Sequence, residues 1–206
     1  LLRKHLQAEG EAGARRHLVD VCDVSEEKYA MARAIVDVQR PTLEAYGDDS
    51  YSLYVSIPFC PSRCSYCSFV SRTIGREGNL VEPYLNKLEE ELAVTAQVAE
   101  TCGLTLSSVY IGGGTPTALS APQLKRLLQM VERHFAPAET EEYTVEAGRP
   151  DCTDLEKLRL LKDYGVHRIS INPQTLRDEV LCTIGRQHTA ADILRCFADA
   201  RKAGHT

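Results

Sequence analysis

The sequence predicts an α/β fold: a parallel sheet covered by helices, preceded by a separate helical segment. Three observations predict it. From residue 51 onward, strand-like apolar runs alternate four times with amphipathic helical stretches. Regular alternation of this kind calls for parallel strands with helices packed outside. The residues with chemical potential follow the strands, at the edge where such sheets bind ligands. Residues 1–50, by contrast, carry helical patterns only, and Gly47-Asp48-Asp49-Ser50 closes them off as a turn. The expected organisation is a helical N-terminal segment over 1–50, the end of a longer domain or a linker, and a core over 51–206.

Composition sets the bounds. Of 206 residues, 43% are apolar and 26% charged, enough for one sizeable core. No run approaches the roughly twenty apolar residues of a membrane span. No apolar signal core follows Leu1-Leu2-Arg3-Lys4-His5. A net charge of −5 with no basic block argues against nucleic acid as a main partner. Eight cysteines, three of them clustered, point to a reducing cytoplasm and a metal site. The other five, Cys22, Cys102, Cys152, Cys182 and Cys196, read as small buried hydrophobes.

In the N-terminal segment, Leu1, Leu2 and Leu6 share one face of a short helix that Gly10 and Gly13 interrupt, since each helical glycine costs about 1 kcal/mol relative to Ala. A second helix starts at Ser25, whose hydroxyl can cap free N–H groups, with Glu26 and Glu27 at the positive end of the dipole. It runs through Met31, Ile35 and Val38 and is expected to stop before Pro41. The first strand covers Tyr51 to Ile57, rich in β-branched and aromatic residues. A long helix follows from Pro83 to Thr101, buried along Leu85, Leu88 and Leu92 and stopped by Gly103. The second strand, Ser107 to Ile111, runs straight into Gly112-Gly113-Gly114-Thr115-Pro116.

Ser120 and Gln123 form a capping box for the next helix, whose stripe is Leu124, Leu127, Leu128, Val131 and Phe135. The third strand is Glu142 to Ala147. Thr153 is expected to cap the helix after it, with Leu155, Leu158 and Leu161 inward and Gly165 as its stop. The fourth strand is Arg168 to Asn172. Thr189 and Asp192 cap the last helix, with Ile193, Leu194 and Phe197 expected to face inward and Gly204 ending it.

The chemistry concentrates in Tyr54-Val55-Ser56-Ile57-Pro58-Phe59-Cys60-Pro61-Ser62-Arg63-Cys64-Ser65-Tyr66-Cys67-Ser68-Phe69. Cys60, Cys64 and Cys67 form a C-x-x-x-C-x-x-C pattern directly after the first strand. A structural zinc site closes its tetrahedron with four ligands, and no fourth cysteine lies nearby. Three thiolates suit an iron–sulfur cluster that keeps one iron open. Zinc, or a fortuitous trio, is the competing reading.

With its flanks, this stretch resembles the radical S-adenosylmethionine (SAM) enzymes, and more narrowly the oxygen-independent coproporphyrinogen III oxidase family, in its HemZ-type branch. The resemblance covers about residues 51–206. It implies a partial (β/α) barrel of six βα units, of which this chain supplies four, so that the chain reads as a fragment whose fourth strand lacks an outer neighbour. It implies that Cys60, Cys64 and Cys67 hold three irons of a 4Fe-4S cluster and that SAM chelates the fourth. Gly113, Gly114 and Thr115 match positions that contact the methionine part of SAM. Tyr66 matches an aromatic position near the adenine, and Tyr54 matches a tyrosine near SAM. Glu146, Gln174 and Arg186 match further SAM contacts, Arg186 as a two-pronged grip on a carboxylate. Each has a plainer reading as a tight turn, an inward strand residue or a loop polar. Glu146 is distinctive on physical grounds, because a carboxylate on an inner strand is costly unless paired. His188 and any catalytic residue stay unassigned.

The resemblance further implies one-electron cleavage of SAM, abstraction of a hydrogen by a 5′-deoxyadenosyl radical, and oxidative decarboxylation of coproporphyrinogen III to protoporphyrinogen IX. It implies a tetrapyrrole substrate, porphyrinogen or haem, and an unidentified electron donor. Two positions depart from the best-studied oxidases: Ser56 stands where they have His, and Phe69 where they have a further Cys. Both departures fit the HemZ-type enzymes and the related haem chaperones. A haem-binding chaperone on the same scaffold, or a radical SAM enzyme acting on haem, are therefore the alternatives.

Overall fold

The computed structural model describes residues 1–206. The chain divides into two compact units, Leu1–Asp49 and Ser50–Thr206. The first is helical: α1 (Leu2–Arg15), one π-helical turn (Arg16–Val21) and α2 (Glu26–Ala45). Leu2, Ala14, Leu18 and Tyr29 form its small core. Gly10 breaks α1 with φ +70°, as expected, whereas Gly13 stays helical. Ser25 caps α2 through the Lys28 N–H. The helix does not stop before Pro41; it runs through to Ala45. Proline removes an N–H donor and crowds the carbonyl one turn back, at Asp37, and that turn is braced by ion pairs from Asp37 to Arg33 and Arg40. Met31, Ile35 and Val38 are exposed, and Tyr29, Ala32 and Val36 face inward instead.

The second unit holds a four-stranded parallel sheet in the order β1 (Ser50–Ile57), β4 (Thr105–Gly113), β5 (Glu142–Glu146), β6 (Arg168–Ser170). The strands between, β2 (Phe59–Cys60) and β3 (Arg72–Thr73), make a separate short parallel pair. Helices α3 (Ile74–Glu77), α4 (Val81–Thr101), α5 (Ala121–Phe135), α6 (Leu155–Asp163), α7 (Asp178–Thr183) and α8 (Ala190–Lys202) complete the unit. This is an α/β partial barrel, open rather than closed, with β1 and β6 each paired on one side. Strand side chains alternate between faces. Val55, Ile57, Val109, Ile111, Tyr143 and Val145 point into a core shared with Leu85, Leu88, Leu92, Leu124, Leu127, Leu128 and Leu161 of the helices. The opposite face therefore carries Tyr54, Ser56, Tyr110, Gly112, Thr144 and Glu146.

Several local expectations need correction. Asp154, not Thr153, caps α6 by accepting the Lys157 N–H at 2.9 Å; the buried Thr153 hydroxyl donates to Thr117 Oγ1 at 2.8 Å instead. In α8 the inward line is Ile193, Cys196 and Ala200, while Leu194 and Phe197 are exposed. Two stripes satisfy helical spacing there, and the packed one uses the smaller residues. Of the five scattered cysteines, Cys196 is buried and Cys152 partly so, but Cys22, Cys102 and Cys182 are exposed. Each exposed one lies at a helix end or in a last turn, where the side chain faces water. No helix is long and apolar enough to cross a membrane.

Candidate functional site

At the carboxyl edge of the sheet, a cleft of about 190 Å³ is lined by Cys60, Cys64, Tyr66, Cys67, Gly113, Gly114, Thr115, Glu146, Gln174 and Arg186, with Phe69, Gly148, Arg149 and Asn172. Residues up to 126 positions apart in sequence meet there because every βα loop leaves the sheet at the same edge. Of the residues singled out from the sequence, only Tyr54 is not in the lining. It sits one layer deeper on the same face of the sheet, stacked on Tyr110 with ring centroids 5.8 Å apart.

The cysteine loop is held at both ends and in the middle. Its base is pinned by the β2–β3 pairing, with the Arg72 N–H donating to the Pro58 carbonyl at 2.8 Å. The Ser65 N–H reaches the Ile184 carbonyl at 3.1 Å, and the Ser62 hydroxyl donates to the Gly185 carbonyl at 2.9 Å. The loop carrying Arg186 is thereby fastened to the loop carrying the cysteines. All three thiols are free. They share the cleft, yet no three His, Cys, Asp or Glu side chains are grouped tightly enough to hold one metal ion.

The glycine run shows why its residues are small. The Gly114 N–H donates to the Ile57 carbonyl at 2.8 Å. A Cβ on Gly114 would lie 2.7 Å from the Phe59 carbonyl oxygen and 3.0 Å from Cys60 Sγ. Gly113 has φ +104°, a conformation that favours glycine. Thr115 is buried, donates its hydroxyl to the Gly114 carbonyl at 2.7 Å and lies 3.5 Å from Cys60 Sγ. Beneath the two ligand-facing loops, the buried Lys157 ammonium donates to the Thr117 and Cys152 carbonyls, each at 2.8 Å.

Glu146 ends β5 and accepts a hydrogen bond from the Tyr110 hydroxyl at 2.6 Å. Burial, then the bond to the Glu146 carboxylate and its charge, push the Tyr110 hydroxyl up to about 12. Gly112 makes the approach possible, since a Cβ there would stand 2.7 Å from the Tyr110 ring and 3.1 Å from the Glu146 carboxyl carbon. Arg186 donates to the Tyr66 hydroxyl at 3.0 Å and to the Gly148 carbonyl at 3.5 Å, and its buried Nε has no partner. Gln174 adopts φ +62°, the left-handed region that is uncommon for a non-glycine residue.

Sequence reasoning missed Tyr110 and Arg149. Strand alternation puts Tyr110 on the Gly112 face of β4, but that it meets Glu146 follows only from the β4–β5 register. For Arg149 the signal was the register that places its loop against Ser62 and Cys64, and that register is visible only in the fold.

A parallel half-barrel with a three-cysteine loop and a glycine run at its carboxyl edge defines an α/β protein with a thiol-lined cleft at the ligand-binding edge of its sheet. The family model described as Radical SAM superfamily matches residues 54–206, and the chain belongs to that superfamily. It is 35% identical over 212 residues to the oxygen-independent coproporphyrinogen-III oxidase-like protein HemZ of Bacillus subtilis (strain 168), covering 99% of this chain and 42% of that protein. It is 43% identical over 154 residues to the heme chaperone HemW of the same organism, covering 74% of this chain and 39% of that protein. Among solved structures, the coproporphyrinogen III oxidase HemN of Escherichia coli, described as a radical SAM enzyme, matches with a TM-score of 0.66 and 31% identity, over 75% of this chain and 35% of that one. The chain thus spans about two fifths of the length of these curated relatives.

Membership in the superfamily implies a 4Fe-4S cluster and S-adenosylmethionine. The residues present fit that pair. Three free thiols share one cleft, Gly114 leaves room beside Cys60 that a side chain would fill, and Arg186 holds an unpartnered buried donor.

Proposed function

We propose that the chain is the cofactor-binding part of a radical SAM oxidoreductase acting on a tetrapyrrole, and that its reaction is the oxidative decarboxylation of coproporphyrinogen III to protoporphyrinogen IX. What supports the cofactor half is the single cleft that gathers the cysteines, the glycine run, Glu146, Gln174 and Arg186. What supports the substrate half is relatedness to a coproporphyrinogen-III oxidase-like protein along 99% of the chain, with a coproporphyrinogen III oxidase as structural neighbour. In this reading Cys60, Cys64 and Cys67 ligate three irons, and one iron stays open for SAM.

The cluster and SAM, when bound, supply one-electron chemistry that removes an unactivated hydrogen from the substrate. The chain's own residues bind and orient. Gly113, Gly114 and Thr115 let backbone approach the amino-acid end of SAM. Glu146, held by Tyr110, presents a fixed carboxylate to a cationic group, and Arg186 presents a fork of donors to a carboxylate. Tyr66, oriented by Arg186, offers a ring face to the nucleoside, and Tyr54, outside the cleft lining, backs Tyr110. Gln174 adds an amide. An external one-electron donor and a cytoplasmic setting, which keeps thiols reduced, complete the reading.

The test is anaerobic incubation of reconstituted protein with coproporphyrinogen III, SAM and dithionite. Protoporphyrinogen IX and 5′-deoxyadenosine are the expected products; 5′-deoxyadenosine alone rejects this substrate and retains the radical chemistry. Cys60→Ala should lose most of the bound iron and sulfide in a metal assay, whereas wild-type iron content in that variant overturns the cluster assignment. A second reading, a haem-binding chaperone, is favoured by the 43% identity to HemW and by Ser56 and Phe69. Stable haem binding without SAM cleavage would select it.

A further inference from the structure

Arg149 has no place in the reading so far, yet it is among the most enclosed charged groups in the chain, at 4% exposure. It follows β5 and reaches across to the cysteine loop. Its Nη1 donates to Cys64 Sγ at 3.5 Å and to the Ser62 carbonyl at 3.2 Å. Its Nη2 donates to Ser62 Oγ at 2.7 Å and to Asp151 Oδ2 at 3.1 Å, and its Nε to Asp151 Oδ1 at 3.2 Å. Burial would raise the Asp151 carboxyl, but the Arg149 hydrogen bond and charge outweigh it and hold the group below the usual carboxylate value. On the far side of Asp151, His188 Nδ1 lies 3.3 Å away on a buried ring. Burial lowers its pKa against the pull of Asp151, so the ring carries no charge at neutral pH.

The arrangement is directional. One permanent cation faces a cysteine sulfur, and its anion sits behind it, turned toward a neutral ring. A loop tie alone accounts for the bonds to Ser62, which a neutral amide could also make. It does not account for a guanidinium, which cannot be deprotonated, aimed at sulfur in a site where burying a charge is costly. Reduction of a cluster adds one negative charge, and both a nearby cation and an N–H donated to a ligand sulfur favour the reduced form.

We propose that Arg149 is a positioning residue that sets the reduction potential of the cluster through Cys64, with Asp151 as the counter-charge that tempers it. The proposal rests on the cluster reading of the three cysteines. It assigns the Arg149–Asp151 pair the task of making a one-electron reduction by an external donor easier than the cysteines alone would allow.

The experiment is an EPR-monitored titration with dithionite of the full chain, anaerobically reconstituted, as wild type, Arg149→Gln and Asp151→Asn. Iron, sulfide and the far-UV circular dichroism melt are matched first. The expected result is a pair of shifts of opposite sign: a more negative midpoint in Arg149→Gln and a less negative one in Asp151→Asn. Unchanged midpoints, or two shifts in the same direction as a loosened loop would give, overturn the proposal. Should Arg149→Gln fail to hold a cluster, Asp151→Asn decides alone, because it leaves the guanidinium in place; a midpoint that stays or falls overturns it. If the wild type assembles no cluster, the cofactor reading falls and takes this one with it, whereas a wild-type cluster indifferent to both changes sinks only the role of Arg149.

Discussion

Gly114 is wedged between the first cysteine and the strand end that carries it. An alanine methyl there would press on the Phe59 carbonyl at 2.7 Å and on Cys60 Sγ at 3.0 Å. The nearest atom is backbone, so the clash is relieved only by moving the glycine loop or the strand end that carries Cys60. Gly114→Ala should therefore lower the iron retained after reconstitution and cost about 1–3 kcal/mol of stability, as overpacking does; an iron assay and a thermal melt check both. Tyr110→Phe tests a different contact. It removes the 2.6 Å hydrogen bond that fixes the Glu146 carboxylate and keeps the ring that stacks on Tyr54. Losing a hydrogen bond to a charged group costs about 1.5–3 kcal/mol of stability, which a thermal melt checks, and with its carboxylate no longer fixed the variant should bind SAM more weakly in calorimetry. Glu146 stood out in the sequence because an unpaired strand carboxylate is costly. Its partner did not, because a tyrosine in a strand looks like any other β-former until register is known. The left-handed backbone of Gln174 was equally invisible, since nothing about glutamine announces φ +62°.

Helix starts were the most legible elements, and their reason is local. A hydroxyl or carboxylate three residues before its N–H partner needs no tertiary information, which is why Ser25, the Ser120–Gln123 box and the Thr189–Asp192 box are all present in the fold. Thr153 failed the same rule because its hydroxyl found a buried partner in Thr117, a competition that only packing creates. The α8 cap also makes a pH prediction. The Thr189 backbone and side-chain bonds, and then Arg195, hold Asp192 at about 2, against an ordinary 3.8. A depressed carboxyl contributes stability above its unfolded value and loses it as pH falls through its folded one. The start of α8 should thus loosen between pH 3.8 and about 2, seen as a partial loss of far-UV dichroism. Asp192→Asn should lack that step. The partial exposure of the carboxylate keeps the effect small.

The βα alternation made the parallel sheet legible: four strands, with chemistry at one edge. It did not reveal the short β2–β3 clasp or α7, both too brief to leave a periodic signature. The partition into Leu1–Asp49 and Ser50–Thr206 leads to a prediction at this scale. A chain starting at Ser50 should retain the iron and sulfide content of the complete one after reconstitution, because every residue lining the cleft lies in the second unit. A drop in metal content on removing residues 1–49 would show that the helical unit supports the site. Within the second unit, the Lys157 ammonium holds one carbonyl from each of the loops that follow β4 and β5. Those loops carry the threonine beside the first cysteine and the arginine beside the second. Fastened to one ammonium, the two loops are coupled: a shift of either one strains the other, so the walls beside the first and second cysteines are set together.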